Sequence, residues 1–206
     1  MVISSGFVFE RANAAMESAD RSEPVRVVEE PRDFPTVYQT HFDFVWRSLR
    51  RLGVQESALD DAHQEVFLVA YRRLADFNGR SKIKTWLFGI VLNIVRRQRR
   101  ARRRTDDHDR LSQTVIEDKK PGPLESAAQL EAAAVLQEFL EQLDPDKRAV
   151  FILAELEQMT APEVAEATNT NLRTVYSRLR VARQEFEQAV ARHRARDAWR
   201  TAHARP

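Results

Sequence analysis

The stretch from Asn78 to Arg104, NGRSKIKTWLFGIVLNIVRRQRRARRR, holds ten of the chain's 33 basic residues and none of its 31 acidic ones. Guanidinium and ammonium groups gathered this densely suit a polyanion, and nucleic-acid phosphate is the commonest. Cations near a helix C-terminus also complement its dipole, and charge runs are often plain solvated faces. The company of the run weighs against that plainer reading. A loop of Asn78, Gly79, Arg80, Ser81 and Lys82 and a tryptophan, Trp86, precede it, and a second basic constellation follows near the C-terminus. There Ala165, Asn169 four residues on and Val175 six beyond have the spacing of a helix-turn-helix, with Arg173, Thr174, Tyr176, Ser177, Arg178, Arg180 and Arg183 on its second helix. The first side chains of such a helix enter the major groove, where Arg reaches guanine edges or phosphates and hydroxyls bond phosphates. A basic helical hairpin of another kind would carry the same residues, and a second cationic site in one chain makes that less apt.

Helices must position these groups, and the apolar spacing supplies them. Phe34, Val37, Tyr38, His41, Phe42, Val45, Trp46, Leu49 and Leu52 form one stripe ended by Gly53. A second helix spans about Ser57 to Phe77, with Leu59, Ala62, Val66, Phe67, Val69, Ala70 and Leu74 inward. Asp60, Asp61, Gln64 and Glu65 are left facing out, and acids in a first turn complement the helix dipole. A third helix buries Ile83, Trp86, Leu87, Ile90, Val91, Ile94 and Val95, and its Arg run, Arg96 to Arg104, continues the rod into solvent. Trp86, at helical spacing with Ile83 and Ile90, reads as core. Three helices with complementary apolar faces make a compact bundle over 34–104.

Residues 1–33 lack sustained periodicity and read as a disordered extension, with room for a short helix near Phe9 to Met16. Residues 105–123 are polar, end in Pro121, Gly122 and Pro123, and read as a flexible linker. About twenty such residues average about 25 Å end to end, so the two modules can occupy separated sites on one target. A second bundle follows over 124–193. Its first stripe is Ala132, Val135, Leu136, Phe139, Leu140 and Leu143; Asp144 with Pro145 starts the next helix, and Thr160 with Glu163 forms a capping box before a short one. Asn169, Thr170 and Asn171 supply the turn, and a last helix from about Leu172 to His193 buries Val175, Leu179, Ala182, Phe186 and Val190. The tail 194–206 has no evident role. The expected fold is therefore all-α, two small helical bundles joined by a flexible linker.

Composition bounds the function. The chain has 206 residues, 43% of them hydrophobic, enough for two small cores. A formal charge of +2 conceals segregation, because Thr105 to Asp146 carries eleven acids against three bases. Absence of cysteine excludes disulfides, thiolate metal sites and a cysteine nucleophile. The longest apolar run, Trp86 to Val95, is too short to cross a bilayer, and the first residues lack an export pattern. A cytoplasmic protein without membrane insertion or cofactor is expected.

The motifs ALDDAHQEVFLVAYRRL, FNGRSKIKTWLFGIVLNIVRR and LDPDKRAVFILAELEQMTAPEVAEATNTNLRTVYSRLRVAR, in that order, resemble an extracytoplasmic-function sigma factor of the bacterial sigma-70 family. The resemblance covers about Phe34 to Ala191. It implies that the first bundle is region 2, docking Asp60, Asp61, Gln64 and Glu65 on the clamp helices of core RNA polymerase. It implies that the Asn78 to Lys82 loop captures a base flipped from the minus-ten element, with the next helix on the opened strand. The residues so assigned are Asn78, Arg80, Ser81, Lys82, Lys84, Asn93, Arg96, Arg97 and Arg100. A flipped base must gain stacking or hydrogen bonds to offset lost pairing, and nearby cations hold its backbone. The second bundle is then region 4, reading the minus-thirty-five element with Asn171, Arg173, Thr174, Tyr176, Ser177, Arg178, Arg180 and Arg183 and meeting the polymerase flap. An anti-sigma partner is implied too. Asn169 and Arg173 stand where the family usually carries Gly, and Arg173 adds a cation at the groove-facing start of the helix, so the promoter sequence read is expected to be unusual; Val181 replaces a commonly basic residue, which is expected to weaken one phosphate contact.

Two other classes compete. An enzyme could be built on His63 with Asp60, Asp61 and Glu65, or on Asp106, Asp107, His108 and Asp109, as metal ligands. The first set scatters around a helix and the second lies in the linker. A stand-alone two-domain repressor would share the DNA-reading residues, but it has no use for the acid-and-amide face of the second helix.

Overall fold

The computed structural model describes residues 33–106 and 127–203. Nearly all of the expected N-terminal extension and linker, including the Phe9 to Met16 segment, Asp107, His108 and Asp109, lies outside the described residues. Helix α1 (Phe34–Arg51) begins where Asp33 Oδ2 accepts from the Thr36 N–H at 3.1 Å and Pro35 sits in the first turn. It stops at Gly53, whose φ of +85° favours glycine; a Cβ there would lie 2.7 Å from Arg148 Nη1. A 3-10 turn (Glu56–Ala58) leads into α2 (Leu59–Arg73), and a second 3-10 turn (Leu74–Asp76) follows it. Helix α3 (Ile83–Asp106) then packs on both α1 and α2. Val45, Leu49, Leu52, Leu59, Val66, Leu87, Phe88 and Val91 are fully buried between them, each contributing about 1.5–3 kcal/mol.

The second bundle comprises α4 (Ala127–Gln142), α5 (Pro145–Phe151), α6 (Ala161–Thr168) and α7 (Leu172–His203). Asp144 Oδ1 caps α5 by accepting from the Asp146 and Lys147 N–H groups at 3.0 and 3.3 Å. After Phe151 the helix widens into a π turn (Ile152–Leu156), closed by the Glu157 N–H on Ile152 O at 3.0 Å and by Gln158 at a φ of 55°. Thr160 and Glu163 make the reciprocal capping box of α6, and Asn169 takes the left-handed conformation at its end, φ 52° and ψ 50°. Phe139, Phe151 and Phe186 meet with ring centroids 5.1 to 5.5 Å apart at the centre of this bundle.

Three features depart from the sequence expectation. In α1 the buried positions include Phe44 and Ser48, whereas Tyr38 and Phe42 are 38% and 37% exposed and build a surface aromatic cluster with Phe34, His63 and Tyr71. Helix α7 continues ten residues past His193 to His203, because no Gly or Pro interrupts it and His193 is anchored to Asp197 and Glu131. Finally, the two bundles pack directly together. Helix α6 lies on α3, where Gly89 lets the Ala167 carbonyl approach; a Cβ would stand 3.7 Å from that oxygen. One apolar cluster runs through both bundles, so the Arg run does not pass freely into solvent.

Candidate nucleic-acid interface

The loop before α3 is shaped by its own residues. Asn78 Oδ1 accepts from the Arg80 N–H at 3.1 Å and Gly79 has a φ of 71°, a turn that leaves Asn78, Arg80 and Lys82 exposed and Ser81 half-buried. Trp86 is half-buried with its ring 5.2 Å from that of Phe77, a packing role. Asn93 and Arg100 are exposed on α3. In the helix-turn-helix, Val164, Ala167, Thr168, Val175, Leu179 and Ala182 lock α6 to α7. Asn171 Oδ1 accepts from the Thr174 N–H at 2.8 Å and starts α7, which shows Asn171, Arg173, Ser177 and Arg180 to solvent, with Thr174 and Tyr176 half-buried.

The other expected DNA cations are engaged. Asp146 sits between the bundles and joins Arg96 of α3 at 3.1 Å to Arg178 of α7 at 2.7 Å. Glu157, its side chain only 5% exposed, holds Arg51 at 2.8 Å and Lys84 at 2.9 Å, and the Lys84 ammonium lies 4.8 Å from the centroid of the Phe44 ring. Lys82 pairs with Glu163 at 2.7 Å, Arg183 with Glu155 at 2.7 Å, and Arg97 with Glu65. Arg99 donates to the Leu52 carbonyl and Arg102 to Gln55 Oε1. The π turn matters here, for it carries Glu155 toward α7 while the residue after it, Glu157, reaches the first bundle.

Electrostatics at this seam are uneven. Burial pushes the Arg51 guanidinium below its usual range against the attraction of Glu157. Burial raises the Glu163 carboxyl, but Lys82 and the Thr160 hydrogen bonds outweigh it and hold the group below the ordinary carboxylate range. Arg148 is 6% exposed, and its Nε has no hydrogen-bond partner among the described residues. Burial, and then repulsion from Arg99, lowers its pKa to about 10.

On α2, Asp60, Asp61 and Gln64 are exposed, and Glu65 is turned partly to Arg97. Leu68 and Tyr71, 48% and 65% exposed, extend this face by another two turns. The signal for them was the same outward spacing that singled out Asp61 and Gln64. His63 points inward, its Nε2 3.3 Å from the Phe42 carbonyl oxygen and its ring between Phe42 and Phe67, so it does not converge with Asp60, Asp61 and Glu65 on a metal position.

Comparison with known proteins matches 37–105 to the family "Sigma-70 region 2" and 133–186 to "Sigma-70, region 4". The RNA polymerase sigma factor NccH of Alcaligenes xylosoxydans xylosoxydans is 36% identical over 74% of this chain and 84% of its own length. The RNA polymerase sigma factor CnrH of Cupriavidus metallidurans is 30% identical over 75% and 85%. Among solved structures, the Bartonella quintana sigma factor RpoE, crystallised with the anti-sigma factor NepR, shares the fold with a TM-score of 0.67 at 21% identity, over 78% of this chain and 98% of that one. CnrH in complex with the cytosolic domain of CnrY gives a TM-score of 0.57 at 24% identity, over 87% and 96%. Among the described residues no helix is long and apolar enough to cross a membrane.

Proposed function

The chain belongs to the sigma-70 family, as an RNA polymerase sigma factor of the extracytoplasmic-function type, and from that premise we propose how its surfaces divide the work. The first bundle (34–104) docks on core RNA polymerase through Asp60, Asp61, Gln64 and Glu65, with Leu68 and Tyr71 adding apolar contact beside them. Its loop and α3 read the minus-ten element: Asn78, Arg80, Ser81 and Lys82 around a flipped base, and Lys84, Asn93, Arg96, Arg97 and Arg100 along the opened strand. The second bundle (124–193) reads the minus-thirty-five element through Asn171, Arg173, Thr174, Tyr176, Ser177, Arg178, Arg180 and Arg183. The chain works in the cytoplasm, performs no catalysis itself, and has an anti-sigma partner, as the Bartonella protein does.

The observation that supports this division best is that one chain joins an exposed acid-and-amide helix face to two separate cation sets. A repressor needs the cations and not the acids. The packed bundles add a condition: Asp146 holds one cation of each set, so promoter engagement requires the seam to part. Polymerase, binding each bundle separately, supplies that force. Charge reversal tests the assignment. The double variant Asp61→Lys, Glu65→Lys should keep native helicity by circular dichroism and lose at least about a hundredfold in affinity for core polymerase, since two like-charge contacts each cost several kcal/mol. Unchanged retention of core enzyme by the folded variant overturns the docking face.

A further inference from the structure

The far end of α7 carries a side-chain cluster that the DNA and polymerase surfaces do not use. Its His193 lies twenty residues beyond Arg173 on the same helix, about 30 Å along the axis. His193 Nε2 is 2.9 Å from Glu131 Oε1 and 2.8 Å from Asp197 Oδ2, and the three ligand atoms all fall within 4.8 Å of one another. Two of the residues stand one turn apart on α7 and the third comes from α4, so regular helices fix all three. We propose that Glu131, His193 and Asp197 form a site for one divalent transition-metal ion of the zinc class, tying the start of α4 to the last turns of α7.

The donor set selects the ion. One imidazole and two carboxylates offer a nitrogen and two negative charges, which favours a borderline ion over calcium or magnesium, whose ligands are oxygens. Ligand arms of about 2.0–2.2 Å in tetrahedral array place donor atoms about 3.4 Å apart, so the two His193 contacts open by only about half an ångström on loading. A cavity of about 180 Å³, lined in part by Glu138, Phe139, Gln142, His193 and Arg196, adjoins the cluster on the His193 side. Arg196 is one competitor among the described residues. Its Nη2 lies 3.0 Å from His193 Nδ1 and donates to it, which puts the imidazole proton on Nε2. Loading returns that proton to Nδ1, frees the Nε2 lone pair for the metal, and turns Arg196 to Glu138, already 3.7 Å away.

Untagged full-length protein titrated with zinc by calorimetry, and with cobalt(II) by visible absorption, tests the site. The expected result is one ion per chain, ligand-field bands of a low-symmetry four- or five-coordinate centre, and a rise in Tm on loading. His193→Ala and Asp197→Asn each weaken binding at least about tenfold. Arg196→Gln, which removes the competing guanidinium, tightens it severalfold; a purely structural role for the cluster gives no such gain. His203→Ala, on the same helix, leaves the affinity unchanged. Wild-type affinity in His193→Ala, weaker binding in Arg196→Gln, or an equal loss in His203→Ala overturns the proposal.

Discussion

The cations on the seam and those on the free face of the same molecule are the same residue types with opposite circumstances. Arg80, Arg100, Arg173 and Arg180 are exposed and have no ion pair with another described residue. Lys82, Lys84, Arg96, Arg178 and Arg183 are held by Glu163, Glu157, Asp146 and Glu155, four acids that run from the first turn of α5 to the first turn of α6. The first group can meet phosphate at once. For the second, phosphate would have to replace a carboxylate, so under the proposed assignment DNA competes with part of the protein itself. Burial sets the strength of that competition: Glu157 is nearly enclosed, whereas Asp146 at 41% side-chain exposure is screened by water.

The largest expected effect lies on the free side. The variant Arg173→Ala, Arg180→Ala should cost about thirtyfold to several-thousandfold in promoter affinity of the holoenzyme, measured by filter binding, because two good base contacts are worth about 1–3 kcal/mol each. An effect below twofold would move the reading surface elsewhere. On the seam, Arg148 is the weak point. Replacing a buried, incompletely bonded guanidinium by an apolar chain is neutral or stabilising by up to about 4 kcal/mol. Arg148→Met should therefore raise Tm by several degrees and, by holding the bundles together, lower DNA binding by the free chain; a fall in Tm would show that the guanidinium is better satisfied than its surroundings indicate. A smaller effect follows from Asp146→Ala, which releases Arg96 and Arg178. Two partly exposed pairs of under about 1 kcal/mol each give roughly a fivefold gain in DNA affinity of the free chain, and a loss instead would mean that Asp146 supports the reading surface.

How much of this was legible in sequence depends on range. Caps and turns were, because Asp144 with Pro145, Thr160 with Glu163 and Asn169 act on backbone groups within a few residues of themselves. The seam was not, since Glu157 and Arg51 are 106 positions apart and no periodicity says which acid meets which base. The π turn was hidden for a related reason: ILAEL reads as ordinary helix, and only the packed structure shows the extra residue per turn. Helix α7 outran its expected end because the apolar stripe stops at Val190 while helix propensity and the His193 contacts do not. Tyr38 and Phe42 kept helical spacing without burial, for the stripe of α1 is wider than the surface α2 and α3 cover.

The smallest effect is one of pH and concerns the aromatic cluster behind the acid-and-amide face of α2. Burial lowers the His63 pKa below its usual 6.5, against the Phe42 carbonyl and Asp60. The folded state thus binds fewer protons than the unfolded one, so stability is complete above 6.5 and declines as pH falls through that value toward the lowered folded pKa. His63→Gln should flatten the dependence of Tm on pH in that window, and an unaltered slope would assign it to other groups. Glu163 acts further down: its depressed folded pKa gives stability present above the unfolded carboxylate range and lost as pH falls through the folded value.

In vitro transcription with core RNA polymerase on a pool of random promoter DNA reads both surfaces at once. The chain should direct initiation downstream of two separated sequence elements, with Arg80→Ala, Lys82→Ala changing preference only at the nearer one and Arg173→Ala, Arg180→Ala only at the farther. No transcription above core polymerase alone, or enrichment of a single undivided element, would contradict the division of labour between the bundles.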